Sequence, residues 1–433
     1  MRQAWLGLAF VGCALRLACE AQSPSLSPDV LLLSKVRRHV QEELQSLPNV
    51  TCIETITRSF RAAKGALRPL DTVRLEVLTN GHKELFSSPG GRKFSEQPPV
   101  SYVGSGVLGD GLFGPYLQTV VVGGNGWYQY KGEEVIGERL LSRWDFRMPV
   151  MWAGQRINLP EGAGNVGLSG SFWADAHTYE VTRLLLNAVD FPPTLPLAEA
   201  VTVIDFRQFD LGGNAPALLP ASGDFRMVRL SGETSINHTE FSDCRLFQGE
   251  TTVSFADPDA MESEARFAIA QVDDTIRDLP SGVFVTVKLR EKVSDEMAVG
   301  SLIKGEVASD VWKGHRQLIK KGSPVLGRIR RMEHYTEPYS YFAVAFDFTE
   351  LSVDGIRYRF RAELIGLGRQ PGLEERLTIA NTTERKGSVL RTATESVYLH
   401  PLPGAAVFFM RGRKVELPVG FSTVWRTSGP ADR

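Results

Sequence analysis

From residue 50 onward the apolar residues of this chain recur mostly at every second position, a period that fits sheets and little else. Val73, Leu75 and Val77 alternate with Arg74 and Glu76, and Asn80-Gly81 follows as a hairpin turn signal. Trp127 to Val135 predicts a second hairpin, turning at Lys131-Gly132. Val201 to Phe209, Phe225 to Leu230 and Thr234 to Phe255 add further strands, with a turn at Ser231-Gly232. Gly-rich Ser101 to Pro115 reads as a loop between them. Further on, Val283, Val285, Val287 and Leu289 alternate, as do Ile356, Tyr358 and Phe360 against Arg357, Arg359 and Arg361.

One helix precedes the strands. Ser27 is placed to cap it, Pro28 suits its first turn, and Pro48 stops it. Leu33, Val36, Val40, Leu44 and Leu47 share one face, opposite Lys35, Arg38, Glu42 and Gln45, so the helix should lie over one face of a sheet.

The first residues point to a compartment. Arg2 is a short positive region, Ala4 to Ala14 an apolar one, and Cys19-Glu20-Ala21 supplies small residues for cleavage before Gln22. An uncleaved anchor or a lipidated Cys19 are the alternatives. Arg16 cuts the apolar run short of the roughly 20 residues that span a bilayer, and it also spoils a lipobox. Removing residues 1–21 leaves Cys52 and Cys244. Outside the cytoplasm such a lone pair reads most simply as one disulfide, the alternative being two buried thiols.

A chain of 433 residues exceeds one ordinary core, so two units are expected. After a signal peptide at 1–21, the boundaries fall at 22–255, a helix plus antiparallel sheet, and at 279–433, a barrel-like unit with a flexible tail. An acidic linker, 256–278, joins them, carrying Asp257, Asp259, Glu262, Glu264, Asp273, Asp274 and Asp278 against Arg266 and Arg277. Three segments of the second unit share a turn with glycine: LPSGVFV at Leu279, IKKGSPVLG at Ile319 and LPVGFSTVW at Leu417. They suggest a small barrel or sandwich with similar tight corners. The fold class expected is therefore mainly β: a helix on a curved, half-barrel-like antiparallel sheet, then a small barrel or sandwich. No later apolar run approaches spanning length.

Asn49 to Lys93 (NVTCIETITRSF, DTVRLEVL, GHKELFSSPGGRKF), Phe172 to Leu185 (FWADAHTYEVTRLL) and Phe241 to Gln248 (FSDCRLFQ) resemble uncharacterised secreted proteins of soil acidobacteria. The Phe172 segment also resembles the Phe-Trp-Val-Asp-x-x-Thr hairpin of outer-membrane lipoprotein carriers, departing from it at Ala174 and Ala176. That resemblance implies a half-barrel sheltering lipid chains. Leu279 to Leu364 is similar to TrbI-like barrel domains of type IV secretion, with Ile319-Lys320-Lys321-Gly322 and Leu326-Gly327-Arg328-Ile329 in the corner and strand positions. It implies a barrel and nothing more.

Motifs for catalysis fail on context. Gly104-Ser105-Gly106-Val107-Leu108-Gly109 fits GxGxxG, but Gly111, Gly114 and Pro115 break the helix a dinucleotide would need. Ser301-Leu302-Ile303-Lys304 spells SxxK in a strand, which sends the two side chains to opposite faces. His39, His82, His177, His238, His315, His334 and His400 lie singly, with no zinc spacing between them. Asp257 and Asp259 lack the rest of a calcium loop. Neither a cofactor nor a metal is expected, and paired glycosidase carboxylates would be visible only in space.

One region is strongly basic. Lys313, Arg316, Lys320, Lys321, Arg328, Arg330 and Arg331, with Arg357, Arg359 and Arg361 as a second stripe, would suit an anionic envelope partner if they converge. The alternative is ordinary solvated strands offset by the acidic linker. Net charge is −1, and nucleic acid is not an expected partner. These readings favour a non-catalytic binding or scaffolding protein of the bacterial envelope, periplasmic or secreted. The alternatives are a carrier of lipid or lipoprotein and, third, an envelope hydrolase. A carrier requires an apolar cavity in the first sheet, a scaffold a filled core, and a hydrolase a pocket of converging carboxylates or histidines.

Overall fold

The computed structural model describes residues 27–429 except 81–82, 92, 110, 213–215, 248–275, 337–338, 369, 374, 380–388, 393–394, 399–401 and 403–404. The signal-peptide expectation and most of the acidic linker lie outside the described residues. Within them the protein is mainly β, with one long N-terminal helix, antiparallel sheets and a curled half-barrel. No helix among the described residues is long and apolar enough to cross a membrane.

Helix α1 (Pro28–Ser46) buries Leu33, Val36, Val40 and Leu44, the stripe expected from its period. Ser27 stands at the N-cap with extended backbone, and its carbonyl accepts from Val30 and Leu31. Its hydroxyl makes no capping bond, which corrects the expected cap. The helix packs on the short π-helical segment Gln118–Val122, where Arg37 Nε donates to the Val121 carbonyl at 3.0 Å and its guanidinium covers the Tyr128 ring.

Eleven strands follow: β1 (Val50–Arg61), β2 (Arg68–Thr79), β3 (Glu84–Ser87), β4 (Trp127–Ile136), β5 (Arg139–Met148), β6 (Gln155–Leu159), β7 (Gly162–Asp175), β8 (Val181–Val189), β9 (Leu197–Phe209), β10 (Ala217–Arg229) and β11 (Thr234–Leu246). They form one antiparallel sheet in the order β3-β2-β1-β11-β10-β9-β8-β7-β5-β4, with β6 beside β7. The first strand therefore pairs with the last. One turn expectation is corrected: Gly132 does not turn a hairpin but sits at a register shift inside β4, and the chain reverses at Gly137. A bulge needs one residue at an unusual φ, and glycine supplies it at +100°.

Among the described residues the C-terminal block holds a ten-stranded sheet and three small two-stranded ones. Phe284–Leu289 lies between Leu302–Val307 and Ser422–Thr427, and Pro324–Tyr335 pairs with Tyr341–Val353. Strand pairs here are antiparallel except Arg277–Asp278, which runs parallel to Ile356–Arg359. Val283, Val285, Val287 and Leu289 are buried, as their alternation predicts, and Trp425 packs among Phe346, Phe348 and Phe360. The three glycine corners prove alike: Gly282, Gly322 and Gly420 have φ of 79°, 81° and 84°. Each donates its N–H to a carbonyl across the sheet, from Thr427, Val307 and Leu289 in turn. Only glycine takes this backbone without strain.

The two blocks touch. Val73 of β2 bridges Val299, with Arg74 N–H donating to Val299 and Val299 N–H to Thr72, each at 2.8 Å. Buried apolar residues of both blocks belong to one continuous cluster.

Candidate functional site

On one face of the first sheet, neighbouring strands bring a row of residues into register: Leu186 of β8, Thr202 of β9, Phe225 of β10 and Asn237 of β11. A second row joins Ile56 of β1, Thr239 and Gly223. Because side chains alternate, residues two apart join the same face, which adds Ala188, Ala200 and Met227. Several of these are small, and where Ala188, Ala200 and Thr202 stand the sheet leaves space, whereas Leu112 packs directly over Gly223. The loop carrying Val107, Leu108 and Leu112 and the strand β6 with Ile157 and Leu159 wall this space into a partly open cavity of about 400 Å³. Its lining is mostly apolar. Asn237 Nδ2 donates to the Val107 carbonyl at 2.8 Å and so ties the loop to the sheet. On the opposite, exposed face of the same strands Asp224 holds His238 Nδ1 at 2.7 Å, a contact that raises the imidazole above its usual range.

The first row continues past Asn237 to Arg58 of β1 and Asp71 of β2, where the sheet changes character. Arg58 Nε and Nη2 donate to the two carboxylate oxygens of Asp71, each at 2.6 Å, and Nη1 donates to the Ser105 carbonyl at 2.5 Å. Glu333, from the C-terminal block, lies 3.5 Å from Arg58 and 3.0 Å from Arg331. Tyr335 donates its hydroxyl to Glu333 at 2.8 Å and lies 3.3 Å from the Ser105 hydroxyl. The side chains of Arg58, Asp71, Arg331 and Glu333 are at most 2% exposed. Burial disfavours the Arg58 charge, but Asp71 and Glu333 outweigh it and leave the group more basic than usual. Burial also opposes the Glu333 charge, yet Arg331 and Arg58 hold the carboxyl below its usual range. Burial and Glu333 together push Tyr335 well up, so its hydroxyl stays a donor.

The predicted cysteines meet: Cys52 and Cys244 form a disulfide between β1 and β11. The bond falls where the register of that pair shifts, between Thr51 and Ile53. The basic residues do not converge on one patch. Lys313 and Arg316 belong to a small exposed hairpin, and Lys321 stands exposed in the corner that follows. Lys320 pairs with Asp354 at 2.9 Å. Arg328 donates to the Gly300 carbonyl, Arg330 faces Asp347 at 3.5 Å, and Arg331 is the buried member of the charge cluster. Arg357 donates twice to Glu350, and Arg359 and Arg361 face Asp278 at 3.1 and 4.0 Å. Asp278 is the last residue of the expected linker.

The sequence reading missed the buried charges, because it placed charged strand residues on the solvent face. Alternation could not have assigned faces to Arg330 and Arg331, because the register of their strand shifts between Ile329 and Arg331. The reading of histidines as solitary also missed a mixed cluster. His39 and Glu43, one helical turn apart, and Glu180 bring one ligand atom each within 4.8 Å of one another. The set could take a divalent cation, but Gln208 and Arg139 already engage its carboxylates.

No family model matches the chain, and no curated protein does. Among solved structures it is similar to a LolA-superfamily protein of Nitrosomonas europaea, at 13% identity and a TM-score of 0.25, over 50% of this chain and 94% of that one. A DUF1329-family protein of Desulfovibrio piger matches at 13% identity and a TM-score of 0.28, over 53% and 96%. A domain assigned to outer membrane lipoprotein sorting in Vibrio parahaemolyticus matches at 12% identity and a TM-score of 0.26, over 51% and 93%. The resemblances to acidobacterial secreted proteins and to TrbI-like barrels find no support in these comparisons.

Proposed function

We propose that the first sheet holds an apolar, lipid-like ligand in an extracytoplasmic compartment and does no chemistry on it. The observation that carries this reading is the cavity over Ala200 and Thr202, since a scaffold would have a filled core there. At about 400 Å³ it falls within the range of roughly 300–1,000 Å³ usual for small-molecule sites. Each methylene buried in such a space contributes about 0.8 kcal/mol before ordering costs. The leader-like first residues and the disulfide support the compartment. In this reading residues 22–255 and 279–433 are two units, the first binding the ligand. Exposed Lys313, Arg316 and Lys321 beside exposed Trp312 favour a second role for the C-terminal unit, contact with an anionic envelope component.

Native mass spectrometry of protein taken from its own envelope, followed by organic extraction, tests the first role. A stoichiometric apolar molecule is expected. A ligand-free protein, or one held to another polypeptide, would return the scaffold reading to first place.

A further inference from the structure

We infer that Arg331, Glu333 and Tyr335 of the C-terminal block are positioning residues for the apolar cavity. They hold the segment 104–108 that forms part of its wall, and so set how fast a ligand enters and leaves. The inference rests on the apolar-ligand reading and adds a partner for it within the same chain.

The segment has one role on each side. Val107, Leu108 and the neighbouring Gly106 face the cavity. One residue earlier, Ser105 is gripped twice, its carbonyl by Arg58 and its hydroxyl by Tyr335. At Gly104 the contact is closer still: a Cβ there would lie 2.1 Å from Arg331 Nε, and Arg331 is fully buried with Glu333 beside it. The GSG sequence that resembles a phosphate loop thus serves close packing of the chain on a buried guanidinium. Of the groups gripping it, Arg58 belongs to the first sheet, whereas Arg331, Glu333 and Tyr335 all lie on strand Pro324–Tyr335. A further polar anchor of the segment, Asn237 on the Val107 carbonyl, comes from the cavity floor itself. Removing the C-terminal grip would leave the segment held by the first sheet alone, and it would open more often.

The test uses the full chain with two variants. Gly104→Ala forces the segment off Arg331. Tyr335→Phe keeps the ring and removes one hydroxyl, which leaves the test open if the first variant fails to fold. Two readouts are taken: hydrogen exchange at amides 103–109, and association and dissociation rates of the apolar fluorophore N-phenyl-1-naphthylamine. The expected result is faster exchange confined to that segment, with both probe rates up at least about fivefold and their ratio nearly unchanged. Exchange at wild-type rates in the folded variants would overturn the grip. Faster exchange with unchanged probe rates would overturn its link to the cavity. If the wild-type protein binds no probe, the apolar-ligand reading falls and this inference with it, while exchange still decides whether the C-terminal block holds the segment.

Discussion

Arg58 and Asp71 face each other across β1 and β2, joined by two hydrogen bonds of 2.6 Å, with both side chains almost wholly out of water. Such a pair adds little net stability over an apolar one, yet breaking it is costly, because the remaining charge stays buried. Arg58→Met should therefore destabilise the protein by about 3–5 kcal/mol in urea melts. Adding Asp71→Asn should recover part of that loss. A double variant as unstable as the sum of the two singles would show that they do not act as a unit.

Filling the cavity should separate binding from folding. Ala200 is buried on its floor, next to Thr202. Ala200→Phe should weaken an apolar probe by about tenfold or more, equivalent to 1.4 kcal/mol. Thermal unfolding should move little, since the added ring enters existing space. Undiminished probe affinity would place the binding elsewhere.

The disulfide closes a span of 192 residues. Loop-closure entropy for so long a span corresponds to about 5 kcal/mol, and measured values usually fall below it. Cys52→Ala with Cys244→Ala should lower the denaturant midpoint accordingly. A shift of less than about 1 kcal/mol would mean that the reduced chain stays ordered at this pair.

The His238–Asp224 contact sets a pH dependence. The hydrogen bond to Asp224 raises the imidazole above its usual 6.5, with Glu240 adding to it against some burial. Since the folded value is the higher one, the contact's full stabilisation is present below pH 6.5 and is lost as pH rises through the folded value. Both side chains are about half exposed, so the effect on stability should be small. NMR titration should show His238 titrating above 6.5, and Asp224→Asn should bring it back. A His238 value unmoved by that substitution would assign the shift to another cause.

Period and turn chemistry made much of the fold legible. The Leu33–Leu44 stripe, the alternation at Val73 and Val283, and the three glycine corners follow from local rules that act within a few residues. Gly132 was misread because a bulge and a turn ask the same φ of glycine, and only the partner strand distinguishes them. The site was mostly hidden. Ala188 and Ala200 open a cavity while Gly223 lies under Leu112, and a small residue in a strand looks the same whether it faces a void or a neighbour. Arg58, Asp71 and Glu333 are hundreds of positions apart at the extremes, and a carboxylate's partner is set by the packing of two blocks. The lone sequence sign of that packing was a glycine pair with no helix after it.

The seam between β1 and β11 has a mechanical consequence. Both ends of the half-barrel emerge at that one place, and Cys52–Cys244 spans it. Tension applied between α1 and the C-terminal block would run through this covalent bond. Strands β2 to β10, and the cavity they carry, lie off the covalent line of force once the contacts of β2 with the C-terminal block have given way. The half-barrel would hang beside the load like a bag from a taut cord, and an atomic force pull should release its stored length only after the disulfide is reduced.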